Sequence, residues 1–184
     1  MLNGSRAYLH AVIDNYSRRI LAWRVSDRFE PGITAQLLLD ASRAMASGTQ
    51  TVLVDGGVEN YNAAVDKVVE SGLLKRVLAQ TEIHFSNSLI ESWWRVLKHQ
   101  WLYLHELDSA KTVMKLVAFY VEQHNTYLPH SAFQGQTPDE KYFGTGEDVP
   151  KQLEETRLAA RRLRMEANRA RRCHVCEEVV SISS

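Results

Sequence analysis

The sequence predicts one α/β domain with a helical appendage, and three observations carry that expectation. Short runs rich in strand formers alternate with segments whose apolar residues recur at helical spacing. Clusters of Gly, Pro, Asn, Asp and Ser separate them. The first two strand-like runs lie close enough to form a hairpin, so the sheet is expected to be mixed rather than all-parallel.

Taken in order, Ala7–Ile13 is an apolar strand-like run, Asp14-Asn15-Tyr16-Ser17 is a turn signal, and Ile20–Val25 is the second run. Glu30-Pro31-Gly32 breaks the pattern. Ile33, Leu37, Leu38, Ala41, Ala44 and Met45 then recur with the period of a helix that Ser47-Gly48 ends. Thr51–Val54 reads as a short buried strand that delivers Asp55 at its C-terminal end, before the tight turn Gly56-Gly57. A second helix is predicted over Asn62–Ser71 and closed by Gly72, and a further strand over Leu73–Leu78. Ala79–Ser86 reads as a loop, and a strong helix runs from about Asn87 to Tyr103. Asp108-Ser109 caps another long helix with Val113, Leu116, Val117 and Tyr120 on one face, which Leu128-Pro129-His130 stops. Gly135–Pro138 is a loop, and Pro138-Asp139-Glu140 starts a short helix. From Pro150 onward the chain reads as an exposed, Ala- and Arg-rich helix. The expected division is a core over residues 1–146 and a basic helical extension over 147–184.

Length and composition fit this. A chain of 184 residues is one domain in size, with 45% apolar and 24% charged residues. No run of eighteen apolar residues occurs, so no membrane span is expected, and the first residues show no signal-peptide pattern. The two cysteines, Cys173 and Cys176, exclude a disulfide framework and suggest a reducing, cytoplasmic setting. They form half of a zinc knuckle with no second pair following, so two reduced thiols are the plainer reading. Net charge is zero but unevenly spread. Residues 1–156 hold 15 Lys/Arg against 19 Asp/Glu, or −4, whereas residues 157–172 hold seven Arg against one Glu, or +6. That Arg cluster, with Arg161 and Arg162 at its centre, reads equally as a solvated helix surface or as a set of phosphate contacts.

Asp55 is placed where open α/β sheets gather their sites, at the carboxyl end of a strand, although a lone carboxylate there is often only a turn former. On a helical wheel, Glu91, Trp94 and Lys98 fall within roughly 40° of Asn87, beside a stripe made by Ile90, Trp93, Leu97, Trp101 and Leu104. Glu91 by itself reads as a surface residue paired with Arg95 one turn on.

Thirty-five residues separate Asp55 from Glu91, and Lys98 follows Glu91 by seven. In this the sequence resembles the DDE transposase and retroviral-type integrase superfamily. The resemblance extends over four blocks between about residues 6 and 143. Tyr8–Asp27 is similar to the family's second and third strands. Val54–Asn62 (VDGGVENYN) resembles the segment around its second Asp. Asn87–Lys98 (NSLIESWWRVLK) resembles its Asn-x-x-x-Glu helix with the Lys beyond. His124–Phe143 resembles its Tyr-Asn-x-x-Arg-Pro-His…Thr-Pro block. Bacterial insertion-sequence transposases are the nearest comparison.

The resemblance implies a ribonuclease-H-like mixed sheet flanked by helices and Mg²⁺-dependent (or Mn²⁺-dependent) transesterification at a DNA phosphodiester. Asp55 and Glu91 would be catalytic metal ligands. Asn87, Lys98, His130, Arg161 and Arg162 would be DNA contacts. Transposon-end and target DNA would be partners, with a second copy or a full-length transposase. Two divalent ions roughly 4 Å apart suit in-line displacement at phosphorus, and hard cations take carboxylate oxygens.

The family has three carboxylates, the first on the first, central strand. Only Met1–Ala7 precedes the segment matching the second strand, and it has no acidic residue. That central strand is therefore expected to be largely missing, and Asp14 belongs to the following turn rather than replacing the lost ligand. Ser86 and Leu128 stand where the family often has Asp and Arg. This chain alone is expected to be inactive. The alternative is a non-catalytic remnant that binds DNA or interferes with transposase assembly. A third reading, an unrelated α/β hydrolase using Asp55, Glu91 and His84, has only composition behind it.

Overall fold

A computed structural model describes residues 4, 6–30, 32–45, 49–78 and 88–171. Strand β1 (Tyr8–Ile13) pairs antiparallel with β2 (Ile20–Ser26), with Tyr8 opposite Ser26 and a register irregularity between Val12 and Ile13. The turn between them is built by Asp14, whose Oδ2 accepts from the Ser17 backbone N–H at 2.8 Å and from its hydroxyl at 2.5 Å. Asp14 is thus engaged as a turn former, in line with its short polar side chain.

Helix α1 (Gly32–Ala44) follows and buries Ile33, Leu37, Leu38 and Ala41, the face its periodicity predicts, against the hairpin. Strand β3 (Gln50–Val54) then pairs parallel with β4 (Leu74–Leu78). Parallel neighbours need a crossover, and α2 (Ala63–Glu70) supplies it. Asn62 caps α2 by accepting from the Ala64 and Val65 backbone N–H groups.

Helix α3 (Ser88–Gln100) is followed by a 3₁₀ turn at Leu102–Leu104, so the helix predicted to Tyr103 tightens in its last turn. Helix α4 (Ala110–Thr126) starts from Ser109 as N-cap. A second 3₁₀ turn at Ser131–Phe133 leads to α5 (Pro138–Phe143), held by a reciprocal capping box between Thr137 and Glu140. Helix α6 (Val149–Ala170) closes the described chain and buries none of its side chains. Gly135 sits where α6 returns. Its φ of +96° suits glycine, and an added Cβ would collide with Leu153 of α6.

The largest core cluster joins Ile20 of β2, Trp93 and Leu97 of α3, and Val113, Val117, Tyr120 and Val121 of α4. On the opposite side, α1, α2 and β4 share Ala35, Leu38, Val65, Val68 and Leu74. The β1–β2 hairpin thus lies between α1 on one side and α3/α4 on the other, and β3–β4 pack against α1 and α2.

The expected mixed sheet is only partly realised. Antiparallel and parallel pairings both occur, but among the described residues they form two separate two-stranded sheets, β1–β2 and β3–β4. No described strand bridges β1 and β3, and a cavity lies between them. The predicted loop Ala79–Ser86 lies outside the described residues.

Candidate functional site

That cavity, of about 780 Å³, is lined by β1, by β3 through Asp55, by α1, and by Leu89, Ile90, Trp94 and Lys98 of α3. Asp55 stands exposed just past β3. Its Oδ1 accepts from the Gly57 backbone N–H at 3.1 Å and from the Asn60 amide at 2.7 Å, which fixes the carboxylate at the head of the turn. Both bonds fall on one oxygen, so acceptor capacity remains for a cation. Glu59 approaches the same turn. An added Cβ on Gly57 would lie 2.5 Å from its Oε1, so glycine is what lets that carboxylate pack there.

Glu91 is exposed in the first turn of α3, where the positive end of the helix dipole favours a carboxylate. No ion pair joins it to Arg95 among the described residues, so the i+4 pairing that its spacing suggests is not formed. Lys98 is exposed two turns later, on nearly the same face, about 20° from Glu91 at 100° per residue. Lys98 and Asp55 both line the cavity, whereas Glu91 stands just outside its lining, next to Ile90. The opposite face of α3 carries Trp93 and Leu97 into the core and so fixes which way this edge points.

His130 has a local structural role. It precedes the 3₁₀ turn at Ser131–Phe133, its Nδ1 accepts from the Ala132 backbone N–H at 3.2 Å, and its ring rests against Phe133. Burial, then the nearby Arg18, lowers its pKa. Arg161 and Arg162 project from the exposed α6, and Arg162 approaches Glu166 at 3.9 Å. Asn87, His84, Cys173 and Cys176 lie outside the described residues. Among the described residues no three His, Cys, Asp or Glu side chains gather as a metal cluster.

Sequence reasoning missed what the His124–Phe143 block does. Asn125 is buried, and its amide brackets the first residue of β2. Its Oδ1 accepts from the Ile20 N–H at 2.9 Å, and its Nδ2 donates to the Ile20 carbonyl at 3.0 Å. His124 donates from Nε2 to the Arg18 carbonyl at 2.9 Å, and Arg18 adopts a left-handed φ of +64°. Arg19 pairs with Asp139 at 2.6 Å and lies over the Tyr142 and Phe143 rings. The block therefore clamps the hairpin turn.

Burial holds the His124 pKa below its ordinary 6.5, against the opposing effect of its bond to Arg18. The folded state thus favours the neutral ring. Its contribution is fully present above pH 6.5 and is lost as pH falls through the folded-state value, because the unfolded chain then binds more protons. His10 and His130 are lowered too, with the same sign. Melting temperature is expected to drop between pH 7.5 and 5.5, and to drop less in His124→Gln. An equal or steeper drop in that variant would contradict the assignment.

The profile of the DDE domain matches residues 1–128. The chain belongs to the DDE-domain family. A relative named as a transposase for insertion sequence element IS150 of Escherichia coli (strain K12) is 22% identical over 140 residues, covering 76% of this chain and 50% of its own length. An uncharacterized protein of insertion element IS136 from Agrobacterium fabrum (strain C58) is 26% identical over 144 residues, covering 74% and 73%. This DDE domain thus spans half the length of the IS150 protein. In fold, it is similar to a chain of the simian T-cell lymphotropic virus intasome in complex with PP2A regulatory subunit B56 gamma. The TM-score is 0.60 and the identity 16%, over 72% of this chain and 47% of that one. No helix among the described residues is long and apolar enough to cross a membrane.

Proposed function

We propose that this DDE domain is part of a transposase catalytic core of ribonuclease-H-like fold. Its substrate class is DNA, and its reaction is phosphodiester transesterification. The carrying observation is that Asp55 of the β3 turn and Lys98 of α3 line one cavity, with Glu91 on the same face of α3 as Lys98. Asp55 and Glu91 would hold Mg²⁺ or Mn²⁺, for which carboxylate oxygens are suited. The metal would supply positive charge at the reacting phosphate. Lys98 would contact a phosphate near the DNA end, with Asn87 beside it. His130 would act through the loop that it organises.

Two carboxylates are a short donor set, so we expect weak metal binding and no strand transfer by this chain alone. Mn²⁺ titration by electron paramagnetic resonance tests the pair. Asp55→Asn and Glu91→Gln should each weaken binding by tenfold or more. Parent-like binding in both would remove the metal assignment, and robust Mg²⁺-dependent strand transfer by the parent chain would remove the inactivity.

A second reading, DNA binding without catalysis, is favoured by α6. Arg157, Arg161 and Arg164 fall within about 60° on one face of this exposed helix, and Arg162 and Arg169 form a second row. Each phosphate contact releases counterions, so the double variant Arg161→Ala/Arg162→Ala should flatten the slope of log affinity against log salt by about 2 on duplex DNA. An unchanged slope would return α6 to a plain solvated surface. In either reading, the protein partner is a second copy or a full-length transposase.

A further inference from the structure

The turn that holds Asp55 closes on itself. The Gly57 backbone N–H and the Asn60 amide both donate to Asp55 Oδ1, and the Asn60 backbone N–H donates to the Gly57 carbonyl at 2.9 Å. Bonds from other elements fix where this unit sits. Asn62, the N-cap of α2, donates from Nδ2 to the Val58 and Glu59 carbonyls at 3.2 and 2.9 Å. A longer reach comes from β4, where Arg76 Nη1 donates to the Asn60 carbonyl at 2.9 Å, across 16 residues of sequence. The same nitrogen pairs with Asp66 of α2 at 2.8 Å. The guanidinium also lies over the Tyr61 ring, with Cζ 4.1 Å from its centroid. The Arg76 side chain is only 19% exposed. A largely buried cation is costly unless it is paired and hydrogen-bonded, and here a carboxylate, a carbonyl and a ring face meet that need together. Arg76 thus joins β4, α2 and the Asp55 turn at one point.

We propose that Arg76 is a positioning residue for Asp55, acting through Asn60. The inference rests on the reading above that Asp55 is a metal ligand, and it names the group that holds that ligand ready. The path has two bonds. Arg76 fixes the carbonyl of Asn60, and the amide of the same residue fixes the Asp55 carboxylate at 2.7 Å. A carboxylate already held in place gives up less conformational freedom when a cation arrives, so the tether raises affinity without touching the metal. Groups bonded directly to a metal ligand set affinity by about 10–100-fold. Arg76 stands one residue further back, so its removal should weaken binding by less, about three- to tenfold. Arginine suits the place because its planar group can donate and stack at once. A role confined to tying β4 to α2 through Asp66 would bypass Asn60, and the two roles therefore differ in what they do to the Asn60 amide.

The test uses the full chain and two readouts. The first needs no metal: ¹⁵N relaxation of the Asn60 side-chain amide. In the parent its order parameter should approach the value of rigid backbone, about 0.85, and in Arg76→Met it should fall below about 0.6. A mobile Asn60 amide in the parent overturns the proposal without any variant, so it stays testable should Arg76→Met fail to fold. An amide equally ordered in parent and variant overturns it too. The second readout is Mn²⁺ titration by electron paramagnetic resonance on Arg76→Met, Asn60→Ala and the double variant. If Arg76 acts through Asn60, the double variant should bind as Asn60→Ala does, to within about twofold. If the loss from Arg76→Met recurs undiminished on the Asn60→Ala background, Arg76 acts on the scaffold alone and the proposal fails. A parent that takes up no Mn²⁺, while Arg76→Met still frees the Asn60 amide, supports the tether and sinks the reading of Asp55 as a ligand. The two failures are thereby told apart.

Discussion

Asn125→Ala is expected to lower the unfolding free energy by about 2–5 kcal/mol, the cost of leaving two buried backbone groups without partners. The Ile20 N–H and carbonyl both bond to this one side chain, and Ile20 is 3% exposed, so water does not readily replace the amide. Small domains are stable by about 5–15 kcal/mol in all, so this single change removes a large share. Urea denaturation measures it from the shift in midpoint at constant slope. A loss under about 1 kcal/mol would mean that solvent reaches the start of β2 and that the clamp is dispensable.

Leu97→Ala should cost a similar amount, about 2–5 kcal/mol, through lost burial and the void left behind. Leu97 is fully buried between α3 and α4, where it joins Trp93, Val117 and Tyr120. The same helix carries Glu91 and Lys98 on an exposed edge, so loosening its packing also loosens the proposed metal and phosphate contacts. Glu91→Gln is the informative partner in that experiment. An exposed residue without an ion pair should change stability by no more than about 0.5 kcal/mol while weakening Mn²⁺ binding. If Glu91→Gln destabilised as much as Leu97→Ala, Glu91 would be a structural residue, and the site would lose one of its two ligands.

The contrast between these two residues of α3 shows what was legible from the chain. Trp93 and Leu97 announce themselves as core through helical spacing, because an amphipathic helix must turn its apolar stripe inward wherever it packs. Asp55 announces itself by its place after a run of strand formers and before Gly-Gly. The 35 residues from Asp55 to Glu91, with Lys98 beyond, then carry the family resemblance that the DDE-domain match supports. Asn125 has no comparable signal. It lies on a helix whose period explains its neighbours, and its partner is 105 residues away in sequence. His130 reads as a DNA contact from the family block, and in the fold it also bonds to the turn that it starts.

The sequence by itself determined the local elements: which runs form strands, where α1, α3 and α4 bury their faces, and where Ser109 begins α4. Those signals depend on side-chain period and capping within a few residues, so they survive without a fold. Only the tertiary structure decided that the strands form two separate pairs with a cavity between them, that Asn125 closes the start of β2, and that Asp55 and Lys98 look into the same space. Hydrogen-bond partners far apart in the chain are chosen by packing, and no spacing rule encodes them.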